Sequence, residues 1–185
     1  MARRRKNPYN YNMKHSFKKG TRIVVHDKMQ TGYAYVLAAD PGKDFAPDFR
    51  PELTPAQMLA RGVFEGHYLT DCQAEFPAEW FLHAKLSPGG PDVSLNEFGV
   101  KSRQPLSVWR RNGWILYPDV RGWFQWYCRY YVGRRLPEID KIQIQRWCHF
   151  YRHKAQILKN CPPKHTECRP RQRQALLQWA YNPDF

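Results

Sequence analysis

Two carboxylates, a histidine and an arginine are the residues whose types and spacing could do chemistry together. Asp71 and Glu75 lie four apart, so they share a face if residues 70–76 are helical. Like charges so placed raise one of the two pKa values and suit acid–base work. Further along, Gln143, Arg146 and His153 project to the same side of a helix as Ile139, Phe150 and Ile157. A cation and an imidazole turned toward an apolar side need partners, because an unpaired buried charge is costly. Asp71, Glu75 or Glu79 would supply them. With Trp123 and Tyr127 as walls, the set describes a pocket for a base extruded from a nucleic acid. Rings would hold the base, Arg146 and Gln143 would read its edges, and Asp71 would orient water or stabilise a developing positive sugar. The expected catalytic residues are therefore Asp71, Glu75 and His153, and the expected substrate contacts Arg146, Gln143, Trp123 and Tyr127. A structural ion-pair network is the competing account of the same residues.

Charge points to the partner. The formal net charge is +14, and it is unevenly distributed. Residues 1–20 hold seven Lys or Arg and no acid, residues 21–100 six basic and eleven acidic side chains, and residues 101–185 seventeen basic and five acidic. A basic excess of this size is a footprint for phosphates or an anionic surface. Seven Trp, eleven Tyr and ten Phe tip the balance toward nucleic acid, DNA first, because rings and guanidinium planes stack on bases. The expected phosphate-binding residues are Arg3, Arg4 and Arg5 in an N-terminal arm, then Arg129, Arg134, Arg135, Arg152, Arg169, Arg171 and Arg173. Each of them has the plainer alternative of a solvated helix face.

Cysteines and glycines exclude other chemistries. Five cysteines without a Cys-x-x-Cys read as reduced intracellular thiols, not a disulfide framework. Cys148, His149, His153, Cys161, His165 and Cys168 include spacings that could close on zinc but fit no standard ligand pattern, so no metal is assigned. The chain has no GxxxxGK, no GxGxxG, no Gly-x-Ser-x-Gly and no deaminase signature, and no cofactor is expected. No apolar run approaches the length of a membrane span and the N-terminus lacks a signal peptide's apolar stretch, so a cytoplasmic or nucleoid location is expected and no membrane partner.

The elements that must position these residues are mostly helical. Residues 1–20 read as a basic flexible arm and 21–185 as one globular domain. TRIVV (21–25) and YAYVL (33–37) predict a small hairpin around Gly32. Thr54-Pro55 opens a short helix that Gly62 closes, and Thr70 with Gln73 resembles a capping box. Pro77 opens another short helix, and one containing Leu106, Val108 and Trp109 ends at Gly113. Asp119 is the expected N-cap of a helix stopped by Gly133, with Trp123, Phe124, Trp126, Tyr127, Tyr130 and Tyr131 on one side and Gln125 and Arg129 opposite. Pro137 opens a long helix to about Asn160, with Ile142 and Leu158 on its apolar side, and residues 169–181 form the last one. The fold class is α+β, mainly α: an N-terminal hairpin and then a compact, aromatic-rich helical body.

The blocks GWFQWYCRYYVGRR (122–135) and CRPRQRQALLQWAY (168–181) resemble those of a family of small basic proteins that are uncharacterised. The stretch EFPAEWF (75–81) and the N-terminal segment belong to the same pattern. The resemblance implies no activity and no site residue. From the residues alone, the first expectation is a DNA-binding enzyme that acts on an extruded base, such as a divergent DNA glycosylase. The second is a non-catalytic DNA- or RNA-binding protein using the basic helical surface, and the third an interaction protein for an acidic partner.

Overall fold

The computed structural model describes residues 17–185. Arg3, Arg4 and Arg5, with most of the expected basic arm, lie outside the described residues. The chain forms the expected hairpin followed by a helical, aromatic-rich body; with 40% helix and 7% strand it is mainly α. Strands β1 (Arg22–His26) and β2 (Thr31–Val36) pair antiparallel, with Ile23 opposite Tyr35. Alternation puts Ile23, Val25 and Tyr35 in the core while Val24 and Val36 stay exposed. The turn is closed by Asp27, whose Oδ1 accepts the amides of Met29 and Gln30 at 2.7 and 2.9 Å. Gly32 lies within β2 and not in the loop.

Helix α1 (Pro55–Arg61) has both halves of a capping box: the Gln57 amide donates to Thr54 Oγ1, and the Thr54 amide donates to Gln57 Oε1. Gly62 ends it at φ +99°, where a Cβ would stand 1.9 Å from the Leu95 carbonyl oxygen. Residues 64–95 then run through short 3-10 turns at Phe64–Gly66, Gln73–Glu75, Ala78–Phe81 and Val93–Leu95. The capping box expected at Thr70 does not form, because its hydroxyl donates back to the His67 carbonyl at 3.1 Å.

Four helices complete the body: α2 (Leu106–Arg111), α3 (Trp123–Tyr131), α4 (Pro137–Asn160) and α5 (Pro170–Gln178). Asp119 does not cap α3. Gly122 holds that position, and the Arg121 amide donates to Gln125 Oε1 at 2.9 Å. Nor does α3 present a polar face to water: every residue from Trp123 to Tyr130 is buried, Gln125 and Arg129 included. A helix enclosed on all sides is the centre of the core. Phe49 packs between it and α4, with ring centroids 5.0–5.7 Å from Trp126, Tyr127 and Tyr130 of α3 and Trp147 of α4, three of the four contacts near perpendicular. Such pairs each add about 0.5–1.5 kcal/mol beyond the area they bury.

Helix α4 packs through Gln143, Ile144, Trp147 and Ile157, leaving Ile142 and Leu158 exposed against expectation. Its rings stack on the segment around α5: Trp147 on Tyr181 at 4.8 Å and Phe150 on Trp179 at 4.0 Å. Gly133 allows a backbone approach as close as that at Gly62. At φ +114° its carbonyl accepts the amides of Ala38 and Ala39, and a Cβ there would lie 1.9 Å from the Ala39 oxygen. This contact ties the end of the hairpin segment to α3. Among the described residues no helix is long and apolar enough to cross a membrane.

Candidate functional site

A cavity of about 600 Å³ opens between α2, α4, α5, the start of α3 and the 64–69 segment. The wall on α4 follows from helical spacing: Arg146, His149 and Arg152 recur every three residues, so they form one stripe, with Phe150 beside it. The end of α5 adds Gln178 and Trp179, α2 adds Trp109, and the first turn of α3 adds Trp123 and Phe124. Trp179 is the centre of the aromatic wall, with Phe150 stacked at 4.0 Å and Trp123 at 4.6 Å. Trp114 meets Trp109 edge to face at 5.4 Å.

The opposite wall is held in an uncommon backbone. Phe64, Glu65 and Gly66 are consecutive left-handed residues (φ +53, +59 and +66°), and Leu69 is another at +62°. For the non-glycine members such conformations cost of order 1–3 kcal/mol each and persist only where the surroundings enforce them. Here Asn96 Oδ1 accepts the Glu65 amide at 2.8 Å, and Glu65, 2% exposed, takes Arg103 at 2.6 Å.

Four arginines line the cavity in different states. Arg121 is neutralised: it donates to both oxygens of Asp27 at 3.1 and 2.9 Å and to Asp71 at 2.9 Å. Burial works against its charge, and Asp27 more than restores it, so its pKa lies above the ordinary arginine value. Arg103 is half-neutralised by Glu65, with its Nε and Glu65 Oε1 lacking partners. Arg146 has no acid. Its Nη1 donates to the Trp114 carbonyl at 2.8 Å and to Gln143 Oε1 at 3.3 Å, and burial holds its pKa below the usual arginine value. Arg152 is exposed at the rim. Among the described residues no carboxylate lines this cavity.

No family model, curated protein or solved structure matches the chain.

The expected catalytic trio does not assemble. Residues 73–75 form one 3-10 turn, so Asp71 and Glu75 share no face. Asp71 turns to Arg121, one side chain behind the cavity wall. Glu75 turns into the core, where its two oxygens accept from Arg129 Nε at 2.6 Å and Nη2 at 3.0 Å, and Tyr35 donates to it at 3.0 Å. His153 packs on Phe150 at 5.0 Å with Nδ1 buried and unpartnered, and it is not part of the lining. Of the substrate contacts, Arg146 and Trp123 do line the cavity. Gln143 lies behind Arg146, fully buried, and Tyr127 is core, donating to the Leu53 carbonyl at 2.6 Å.

Three of the expected phosphate-binding arginines are structural. Arg129 and Arg134 are 0% and 1% exposed and share Asp119, at 3.1 Å for Arg129 and at 2.8 and 2.7 Å for Arg134. Burial opposes both charges, but the attraction of Glu75 and Asp119 for Arg129, and of Asp119 for Arg134, raises both pKa values. Arg173, also buried, donates to the carbonyls of Cys168, His165 and Pro183 and fastens the loop before α5. Arg135 is half-buried, lying on the Tyr130 ring at 3.9 Å and donating to the Lys43 and Asp44 carbonyls. Arg152, Arg169 and Arg171 are exposed.

The thiols also depart from expectation. Cys161 and Cys168 form a disulfide across the α4–α5 loop, which removes both sulfurs from the zinc candidate; Cys72 and Cys128 are buried and Cys148 is exposed. Among the described residues no group of three His, Cys, Asp or Glu side chains is placed to hold a metal ion. Sequence reasoning missed Arg103, Arg121, Trp109, Trp179, Gln178 and the left-handed segment as site residues. The signal available was the tryptophan count, which does not say which rings stay accessible.

Proposed function

We propose that the protein binds nucleic acid, DNA in the first instance, by taking one unpaired base into the aromatic cavity while the flanking phosphates lie along Arg146 and Arg152. The observation that supports this is the meeting of stacked tryptophans and acid-free arginines in one cavity. Rings and guanidinium planes bind bases by their faces, and cations without counter-carboxylates bind the backbone. A volume of about 600 Å³ falls within the range of small-ligand sites, which is roughly 300–1,000 Å³. The proposal is one of binding and not of base excision, since Asp71 is tied to Arg121 and, among the described residues, no carboxylate faces the cavity.

The test is a titration with single-stranded and duplex DNA, and with single-stranded RNA, at about 50 and about 200 mM salt. The single strands should bind tighter than duplex, because their bases need no unpairing. Two phosphate contacts correspond to a slope of about −1.4, so the fourfold increase in salt should weaken binding about sevenfold. Arg152→Ala should lower that slope. Negligible binding of every strand at the lower salt would overturn the proposal.

A further inference from the structure

The mouth of the cavity is cationic beyond the residues that line it. On α4 the stripe of Arg146, His149 and Arg152 ends at Arg152, exposed at the rim. On α5 Arg171, Ala175 and Gln178 also form one stripe, spaced four and then three residues apart. Ala175 and Gln178 line the cavity, so the exposed Arg171 stands one turn further out on the same stripe. The outer ends of the two stripes are drawn together. Gln172 Nε2 donates to Gln156 Oε1 at 2.7 Å, and Gln156 lies one turn beyond Arg152. From a third side Ser102, itself in the lining, donates to the Arg171 carbonyl at 2.7 Å, which sets the exposed Lys101 beside the start of α5. Among the described residues Arg152, Arg171 and Lys101 make no ion pair. Glu97, Glu167 and Asp184 line a separate cleft with Pro170, and none of them lines the aromatic cavity.

Resting on the base-binding reading above, we infer that the cavity is one end of a longer track, and that the partner is a single strand of several nucleotides in place of a free nucleotide. Arg152, Arg171 and Lys101 come from three elements, surround one mouth and have no acid competing with phosphates for them. A free nucleotide brings one phosphate group, which Arg146 and Arg152 already meet. The cations further out gain a partner only where the backbone continues. Each phosphate they neutralise releases counterions, so contacts outside the cavity produce a salt dependence that grows with strand length. Contacts to the backbone position a strand without reading its sequence, so this part of the track is indifferent to base identity.

The experiment is a titration of the full chain with oligothymidylates of about three and about twelve nucleotides, followed by quenching of tryptophan fluorescence at about 50 and about 200 mM salt. The short strand should show the slope of about −1.4 that belongs to Arg146 and Arg152, weakening about sevenfold over that range. Two further contacts, at Arg171 and Lys101, give a slope of about −2.8, so the long strand should weaken about fiftyfold. The double variant Lys101→Gln, Arg171→Gln should bring the long strand back to about sevenfold and leave the short strand's affinity within about twofold. Arg22→Gln, at an exposed cation of β1 outside the cavity lining, should change neither slope. Equal slopes for the two strands, with both bound, would overturn the track and leave base binding intact. A slope that stays steep in the double variant would place the extra contacts elsewhere in the chain and overturn the role of Arg171 and Lys101. If neither strand binds at the lower salt, the base-binding reading itself fails.

Discussion

Replacing Arg129 by Met separates a buried structural cation from a phosphate contact. In the folded chain Arg129 is fully buried and all three of its nitrogens are engaged. Glu75 accepts from two of them, Asp119 and the Pro118 carbonyl accept from Nη1 at 3.1 and 3.0 Å, and Gln30 accepts at 2.8 Å. Methionine fills the space of the aliphatic stem but leaves Glu75, 5% exposed, with Tyr35 as its remaining partner. Asp119 keeps both bonds from Arg134. Removing one partner of a buried ion pair costs about 3–5 kcal/mol because the other charge stays buried. In a domain of this size each kcal/mol moves Tm by about 2–4 °C, so Arg129→Met should melt about 6–20 °C lower. Circular dichroism melts read this directly. Adding Glu75→Gln removes the stranded charge and should recover part of the loss, giving a coupling of at least about 1 kcal/mol in the double-mutant cycle. Nucleic-acid affinity per folded molecule should stay within about twofold. Unchanged stability together with lost affinity would show that Arg129 faces the phosphates and that the burial argument is wrong.

Two further perturbations test other parts of the fold. Cys161→Ser opens a loop whose ends are seven residues apart, for which chain entropy gives about 2.4 kcal/mol, so Tm should fall by about 5–9 °C. Cys148→Ser, at an exposed free thiol, should leave Tm unchanged, and equal melts for the two variants would count against the disulfide. His153 has a pKa below its ordinary 6.5, first through burial and then through the neighbouring Arg152 cation. The unfolded chain therefore takes up this proton before the folded chain does, and stability should decline as pH falls through about 6.5 toward the lower folded value. Urea midpoints measured across that interval should show the decline, and His153→Gln should flatten it; an unchanged profile in the variant would place the titration elsewhere.

Elements announced by local chemistry were legible in the sequence. Thr54, Pro55 and Gly62 mark both ends of α1, and Pro137 and Pro170 each occupy the first position of the helix they open. Asp119 misled because the same side chain suits an N-cap and a buried counterion. With Arg134 fifteen residues along the chain, the second use wins. The arginines near Gly133 read as surface because composition cannot tell a cation with a carboxylate waiting in the fold from one without. The site was harder still. Arg121 meets Asp27 across 94 residues, Gln178 is reached only at the end of α5, and the 64–69 wall depends on backbone conformations that Phe64, Glu65 and Leu69 do not favour on their own.

The uneven charge along the chain resolves once it is folded. Within the described residues the acidic middle folds onto the last third. Glu65 takes Arg103, Asp27 and Asp71 take Arg121, Glu75 takes Arg129, and Glu52 takes Lys154. Asp119, from the basic third itself, completes the core network by holding Arg129 and Arg134. Each of these acids stabilises a cation that would otherwise be costly to bury or would repel its neighbours. Arg146 and Arg152 are cations that no acid of the described chain reaches, and they stand on one face of α4 beside the stacked tryptophans. On the proposed reading, Arg146 and Arg152 differ from other exposed cations such as Arg169 and Arg171 in standing beside stacked rings, where a polyanion whose bases leave the stack would gain contacts that charge alone does not give.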